Sequence, residues 1–175
     1  SLTSRSIIDK LSEASRAGVE IKMIIRGICC ILPGIHNRTE NIRVVSIVGR
    51  FLEHPRVYCF GNRDDMRILI SSADLMTRNI VRRVEIACPV FDEDLKSRLY
   101  TMLQLMLQDN VKARLLLSDG TYTKLNGEVP FDSQEYFMKQ AIDPSKTTKE
   151  IVGEPAQEKP DLINKIIHWA GQRFK

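Results

Sequence analysis

The feature that most constrains this chain is a helical repeat that runs straight into a glycine and then a β-branched segment. From Ser4 to Ala17 the apolar residues fall at Ile7, Ile8, Leu11 and Ala14, a spacing that gathers them on one face of a helix. Gly18 follows as a C-terminal cap. The next residues, VEIKMIIRG, alternate and carry β-branched side chains, which predicts a strand running to Gly27. A helix handed over so directly to a strand must share a buried layer with it, the arrangement of an α/β fold.

The remaining pattern extends that architecture. PGIHNRTEN reads as a loop, and Glu40 to Leu52 is predicted helical, with Ile42, Val45, Ile47, Val48 and Leu52 toward one side. RVYCF and RILISSAD are two strands joined by the turn residues GNRDD, so a hairpin is expected. MTRNIVRR is short and polar, and VEIACPV is an apolar strand expected to stop at Pro89. Asp92 to Gln108 is the sharpest helical pattern. Its acidic start, Asp92 to Asp94, suits the positive end of the helix dipole, and Leu95, Leu99, Met102, Leu103, Met106 and Leu107 form the expected buried stripe. Beyond Asp119 polar, Gly and Pro residues dominate up to Pro160, broken by a short helix at Ser133 to Ile142. The amphipathic segment PDLINKIIHWAGQRF follows. The expected organisation is an α/β body over residues 1–118 and an appended extension over 119–175, with its last helix docked on the body or on another part of the protein.

The 175 residues suffice for one domain with a real core, and 43% hydrophobic with 27% charged residues is ordinary globular usage. A net charge of +4 fits an anionic partner without requiring one. The longest apolar runs, such as Ile24 to Pro33, are too short to span a bilayer, and the first residues carry no signal-peptide pattern. The chain opens at Ser1 without an initiator Met and is expected to be a piece of a longer protein. Cys29, Cys30, Cys59 and Cys88 form no C-x-x-C pair and have no histidine at ligand spacing. They are expected to be small buried hydrophobes in a reducing compartment.

No phosphate loop, dinucleotide fingerprint or G-x-S-x-G elbow is present, and no acidic cluster suggests a metal cage. What stands out is a set of cations where loops meet strand ends: Arg26 beside Gly27, His54 and Arg56 before RVYCF, and Arg78, Arg82 and Arg83 after SSAD. Ligand sites of open α/β sheets gather at such places, and the planar arginine fork suits phosphate oxygens. A histidine among arginines has its neutral form favoured, which suits a nucleophile or proton shuttle. Each residue also has a plainer reading. His54 is equally a surface or capping residue, Arg82–Arg83 a solvated turn, Arg26 a side chain lying over the sheet, and Ser71–Ser72 a turn cap. His36 and His168 read as structural or solvent-facing.

The stretches IRGICC, ENIRVVSIVGRFLEHPRVYCFGN, ISSADLMTRNIVRRVEIACPV and DLKSRL occur in order across residues 1–118. Together they resemble the last catalytic domain of the bacterial, histidine-phosphorylating polyphosphate kinase family. The resemblance implies a phospholipase D-like mixed β-sheet layered with helices, followed by a helical or irregular C-terminal extension. It implies reversible transfer of the terminal phosphate of ATP to inorganic polyphosphate through a phosphohistidine that lies outside this chain. By the same resemblance Arg26 contacts nucleotide phosphate, His54 is an active-site catalytic histidine, and Arg83 and Arg78 belong to the phosphate-binding set. No metal ligand is expected here, since Mg²⁺ would arrive with ATP and be held mainly elsewhere. Implied partners are ATP or ADP, polyphosphate, the remaining domains of the same polypeptide and a second copy in an oligomer. Neither nucleic acid nor a transmembrane segment is expected, and the location implied is cytoplasmic or peripheral to the inner membrane. His54 also occupies the histidine of the phospholipase D pattern H-x-K. Here that pattern reads H-P-R, with Gly61 where an aspartate is usual, which argues against a hydrolytic phosphodiesterase or nuclease. The other rival is a non-catalytic phosphate-binding or dimer-building module.

Overall fold

The computed structural model describes residues 1–61 and 65–142. Helix α1 (Arg5–Arg16) forms where the apolar spacing places it. It closes with paired bonds of the left-handed capping type. The Val19 N–H donates to the Ala14 carbonyl at 3.1 Å and the Gly18 N–H to the Ser15 carbonyl at 2.9 Å, with Gly18 at φ 87°. The chain turns at once into β1 (Ile21–Ile24).

The segment expected to be helical after Glu40 is instead strand β2 (Ile42–Ile47), the centre of the main sheet. It pairs in parallel with β1 and antiparallel with β6 (Ala113–Leu116). Ile42, Val44, Val45 and Ile47 are all buried. A strand covered on both faces keeps a nearly continuous apolar run, and such a run also satisfies a helical spacing. Residues 25–41 make the crossover between the two parallel strands and are irregular rather than helical. The first residues of the chain hold this crossover in place. The Leu2 N–H donates to the Ile28 carbonyl, the Cys30 N–H to the Leu2 carbonyl, and the Thr3 N–H to the Leu75 carbonyl. Leu2 is fully buried in a cluster with Ile7, Ile25, Ile31, Val44 and Leu116.

The second sheet is the expected hairpin, β3 (Val57–Phe60) and β4 (Arg67–Ser71), with β5 (Ala87–Val90) added on the other side of β4. Residues 62–64 of its turn lie outside the described residues. Gly61 sits at φ 83°, and a side chain there would place its Cβ 2.9 Å from the Asp65 carbonyl oxygen. The aspartate usual at this place in the hydrolytic pattern therefore has no room. Pro89 does not stop β5 but lies within it, opposite Leu69. The strand is at the sheet edge, where a proline costs no ladder bond. Between β4 and β5 the chain forms a π-helix, Arg78–Arg82.

Helix α2 (Glu93–Gln108) is capped as expected, the Asp92 carboxylate accepting from the Leu95 N–H at 2.9 Å. The expected stripe holds except at its start: Met106 is buried, Leu99, Met102, Leu103 and Leu107 are half-buried, Leu95 is 47% exposed, and Leu105 is buried beside it. Met106 and Met102 pack with Ile47, Ala113 and Phe137. The cysteines also differ from expectation. All four are free thiols, but Cys30 and Cys88 are exposed, one in the irregular crossover and the other on the edge strand. The half-buried Cys59 has its thiol pushed up to about 11 by burial. Among the described residues no helix is long and apolar enough to cross a membrane.

The sheet continues past residue 118. β7 (Tyr122–Lys124) pairs antiparallel with β6, and α3 (Ser133–Ile142) forms where a short helix is expected. The terminal segment from Pro160, predicted amphipathic, lies outside the described residues. The junction is tied by Asp109, which is fully buried. Its Oδ1 accepts from the N–H groups of Val111, Lys112 and Ala113 at 3.1, 2.7 and 3.0 Å. Its Oδ2 accepts from the Ser133 N–H and hydroxyl, both at 2.8 Å. Burial opposes the charge, yet the bonds from Ser133, Lys112 and Ala113 outweigh it and hold the carboxyl below its ordinary value. The folded state then binds fewer protons than the unfolded one, so this carboxylate stabilises fully above the unfolded value and the contribution fades as pH falls below about 4. Asp109→Ala strands these donors and should cost roughly 2–4 kcal/mol in denaturant melts, and Asp109→Asn should flatten the acid limb of stability against pH. An acid limb identical to wild type in Asp109→Asn would remove Asp109 from this role.

Candidate functional site

Three segments converge at the N-terminal end of β3. Pro55 lacks an N–H, so the ladder cannot start earlier and His54 stays in the approach to the strand, exposed. Arg56 is half-buried and its guanidinium reaches back over the histidine. Nη1 lies 3.2 Å from His54 Nδ1 and Nη2 lies 2.8 Å from Nε2. Nη2 also donates to Asp74 Oδ2 at 3.1 Å. Asp74 Oδ1 takes the amino group of Ser1 at 3.0 Å. Burial would raise the Asp74 carboxyl, but hydrogen bonds from Arg56 and that amino group, with their charges, hold it below its ordinary value. The neighbouring Tyr58 hydroxyl donates to the Ala73 carbonyl at 2.8 Å. Burial, reinforced by the Asp74 charge, pushes this phenol up to about 12, so it is a fixed donor. Arg56 Nε is buried with no partner among the described residues.

The second arc is the corner between β4 and β5. Ser71 Oγ donates to the Ile86 carbonyl and accepts from the Ala73 N–H. Ser72 and Asn79 both donate to Glu85, and the Ile86 N–H donates to Ser72 Oγ. The bonds from Ser72 and Asn79 hold the Glu85 carboxyl below its ordinary value, helped by the positive charges of Arg83 and Arg56. Asn79 is buried on the π-helix, a local widening that often accompanies functional sites. His54, Arg56 and Asp74 thus share one hydrogen-bonded neighbourhood, tied to this corner where the Ser71 N–H donates to the Arg56 carbonyl. Arg78 opens the π-helix and is exposed, as are Arg82 and Arg83.

Arg26 comes from the main sheet. It follows β1 and lines a cleft of about 330 Å³ with Ser46, Lys112, Arg114 and Tyr122. The cleft forms because β2 runs on past the end of its parallel partner β1, while β6 sets Arg114 opposite Ser46. Three cations at the ends of parallel strands make a place for an anion. Among the described residues, no hydrogen bond and no shared lining joins Arg26 to His54 or Arg83. Lys112 and Arg114 went unread as site residues because strand pairing alone brings them to Arg26. Asp74 and Glu85 went unread because their significance is a spatial partner, 18 residues from Arg56 in one case.

Chemically, the first neighbourhood offers an imidazole, guanidinium donors, and carboxylates already occupied by protein partners. Among the described residues no group of three His, Cys, Asp or Glu side chains could hold a metal ion. Such an arrangement suits oxyanion binding and proton movement at an exposed edge.

Comparison with known proteins adds three findings. A family model described as polyphosphate kinase C-terminal domain 2 matches residues 1–134. Proteins named polyphosphate kinase are similar in sequence. That of Staphylococcus haemolyticus is 50% identical over 170 residues, covering 97% of this chain and 23% of that protein. That of Bacillus cereus is 51% identical over 143 residues, covering 81% of this chain and 20% of that protein. The crystal structure of polyphosphate kinase from Porphyromonas gingivalis superposes with a TM-score of 0.78 at 38% identity, over 84% of this chain and 23% of that one. The chain spans less than a quarter of the length of these proteins.

Asp74→Asn removes the counter-charge of a guanidinium whose Nε is already without a partner. It should cost about 1–3 kcal/mol in thermal or denaturant unfolding, with the double variant Asp74→Asn/Arg56→Met nearer neutral because it removes both partners at once. Equal stability of Asp74→Asn and wild type would show that the pair holds nothing.

Proposed function

Since the chain belongs to the polyphosphate kinase C-terminal domain 2 family, we propose that it forms one side of the active site of an ATP:polyphosphate phosphotransferase. The observation that carries this reading is an exposed imidazole held by Arg56, whose guanidinium is held in turn by Asp74. Phosphoryl transfer between two dense polyanions needs charge neutralisation and in-line placement more than covalent chemistry from most of the protein. Arg26, with Lys112 and Arg114, neutralises one phosphate segment, and Arg83 with Arg78 another. The attacking histidine belongs to a preceding domain. It forms a bond to the γ-phosphorus of ATP while the bond to the bridging oxygen of ADP breaks.

His54 assists by moving a proton to the leaving oxygen or by steadying the phosphoryl group. A ring nitrogen that accepts from Arg56 carries no proton there. An incoming phosphoryl oxygen competes for the same guanidinium donors and frees that nitrogen to take a proton from solvent, which it can then pass to the leaving oxygen. Asp74 keeps the guanidinium within reach throughout. The hydrolytic alternative is disfavoured by Arg56 in place of lysine and by Gly61, whose surroundings leave no room for an aspartate.

Mg²⁺ does not fit the described residues of this chain as a resident ion, because Asp74 and Glu85 are engaged by Arg56, Ser72 and Asn79. It enters as part of the ATP substrate. The location proposed is the cytoplasm or the periphery of the inner membrane, where ATP is supplied. The other domains of a longer polypeptide, and a second copy in an oligomer, are the proposed protein partners. Solvent-facing Val84, Ile86 and Phe91, 100%, 66% and 81% exposed, support a covered surface in the whole protein.

In the full-length protein, His54→Ala and Arg26→Ala should each lower polyphosphate synthesis from ATP by roughly 100-fold or more while leaving the melting temperature near wild type. Normal synthesis in both variants would overturn the site assignment.

A further inference from the structure

The loop that delivers His54 is fastened by a residue from the far end of the described chain. Gln134 stands in the first turn of α3 and is 5% exposed. Its Oε1 accepts from the Phe51 N–H at 3.0 Å. Its Nε2 donates to the Phe51 carbonyl at 2.9 Å and to Glu53 Oε2 at 3.1 Å. One side-chain amide therefore satisfies both backbone groups of Phe51 and the carboxylate beside His54. Packing does not hold this loop, since Phe51 and Leu52 are 46% and 78% exposed. The fit is close: a Cβ on Gly49 would stand 2.3 Å from Gln134 Oε1. The amide is fixed in turn, because its neighbour Ser133 is bound to buried Asp109 through both N–H and hydroxyl.

We propose that Gln134 is a positioning residue for His54, so that α3 sets the catalytic rate from outside the expected body of residues 1–118. The inference rests on the reading of His54 as a site residue. The chemistry is particular to glutamine. The loop needs an acceptor and a donor from the same planar group, and a glutamate in its place would repel Glu53 and lose the donor. Asparagine is one methylene short. The clamp acts on geometry alone: it touches no substrate, and it fixes where the imidazole stands relative to the facing domain.

The test uses the full-length protein. Gln134→Met keeps length and volume but removes the amide. We expect kcat for polyphosphate synthesis to fall roughly 10- to 100-fold, the scale of about 1 Å of misplacement, with KM for ATP within about twofold of wild type. Amide hydrogen exchange should accelerate in the peptide spanning residues 49–56 and stay unchanged in β2 and β6. Gly49→Ala displaces the same amide from the other side and should reproduce both effects. Gly49→Ala combined with Gln134→Ala should be no worse than Gln134→Ala alone, because the obstructing atoms are gone. Wild-type exchange in Gln134→Met would overturn the clamp. Faster local exchange with unchanged kcat, where His54→Ala is inactive, would overturn the positioning role. Acceleration throughout β2 and β6 would show general loosening and overturn it as well. Full activity in His54→Ala would instead overturn the underlying site reading, while localised exchange in Gln134→Met would still support the clamp.

Discussion

A buried carboxylate with both oxygens saturated holds the C-terminal part of the fold to the rest. Asp109 ends α2, gathers the first N–H groups of the turn into β6, and reaches across to the start of α3. An isolated charge in that position would be too costly to keep. Five donors converging on two oxygens make it favourable, and the same convergence sets the angles at which three elements leave the junction. The loop before β3 inherits that precision through Gln134, and the imidazole of His54 stands at its end.

The site follows a related economy of charge. Its carboxylates are taken: Asp74 by Arg56, Glu85 by Ser72 and Asn79. Its cations are the exposed groups. A surface built this way presents guanidinium donors to solvent and keeps its acids as internal fasteners, which favours a polyanionic ligand over a bound cation. The Arg26 cleft repeats the theme at the ends of the parallel strands, where Lys112 and Arg114 join it from the β6 region. Among the described residues no hydrogen bond joins the two basic regions. A phosphate chain in contact with both is what the proposed transfer requires.

Much of this was legible from local pattern. The α1–Gly18–β1 unit, the β3–β4 hairpin, the Asp92 cap and α3 follow from periodicity, turn chemistry and capping, which act within a few residues. The motifs around His54 identified the family, which the residue alone did not, since a histidine before a strand has an ordinary structural explanation. Helical spacing misplaced β2, because a strand buried on both faces loses the alternation that marks strands. Pro89 was misread as a stop because its tolerance depends on β5 being an edge. The stripe of α2 loses Leu95 and gains Leu105, because its buried face answers to α3 and β6, which lie later in the chain.

By itself the sequence determined the fold class, the family and the elements α1, α2, α3 and the β3–β4 hairpin, each encoded in local spacing or contiguous motif. Tertiary structure alone decided which polar groups meet: Arg56 with Asp74 across 18 residues, Gln134 with Phe51 across 83, Arg114 opposite Ser46. The physical reason is range. Periodicity and capping are set by neighbours, whereas a buried hydrogen bond between distant side chains exists only once the sheets have chosen their strand order.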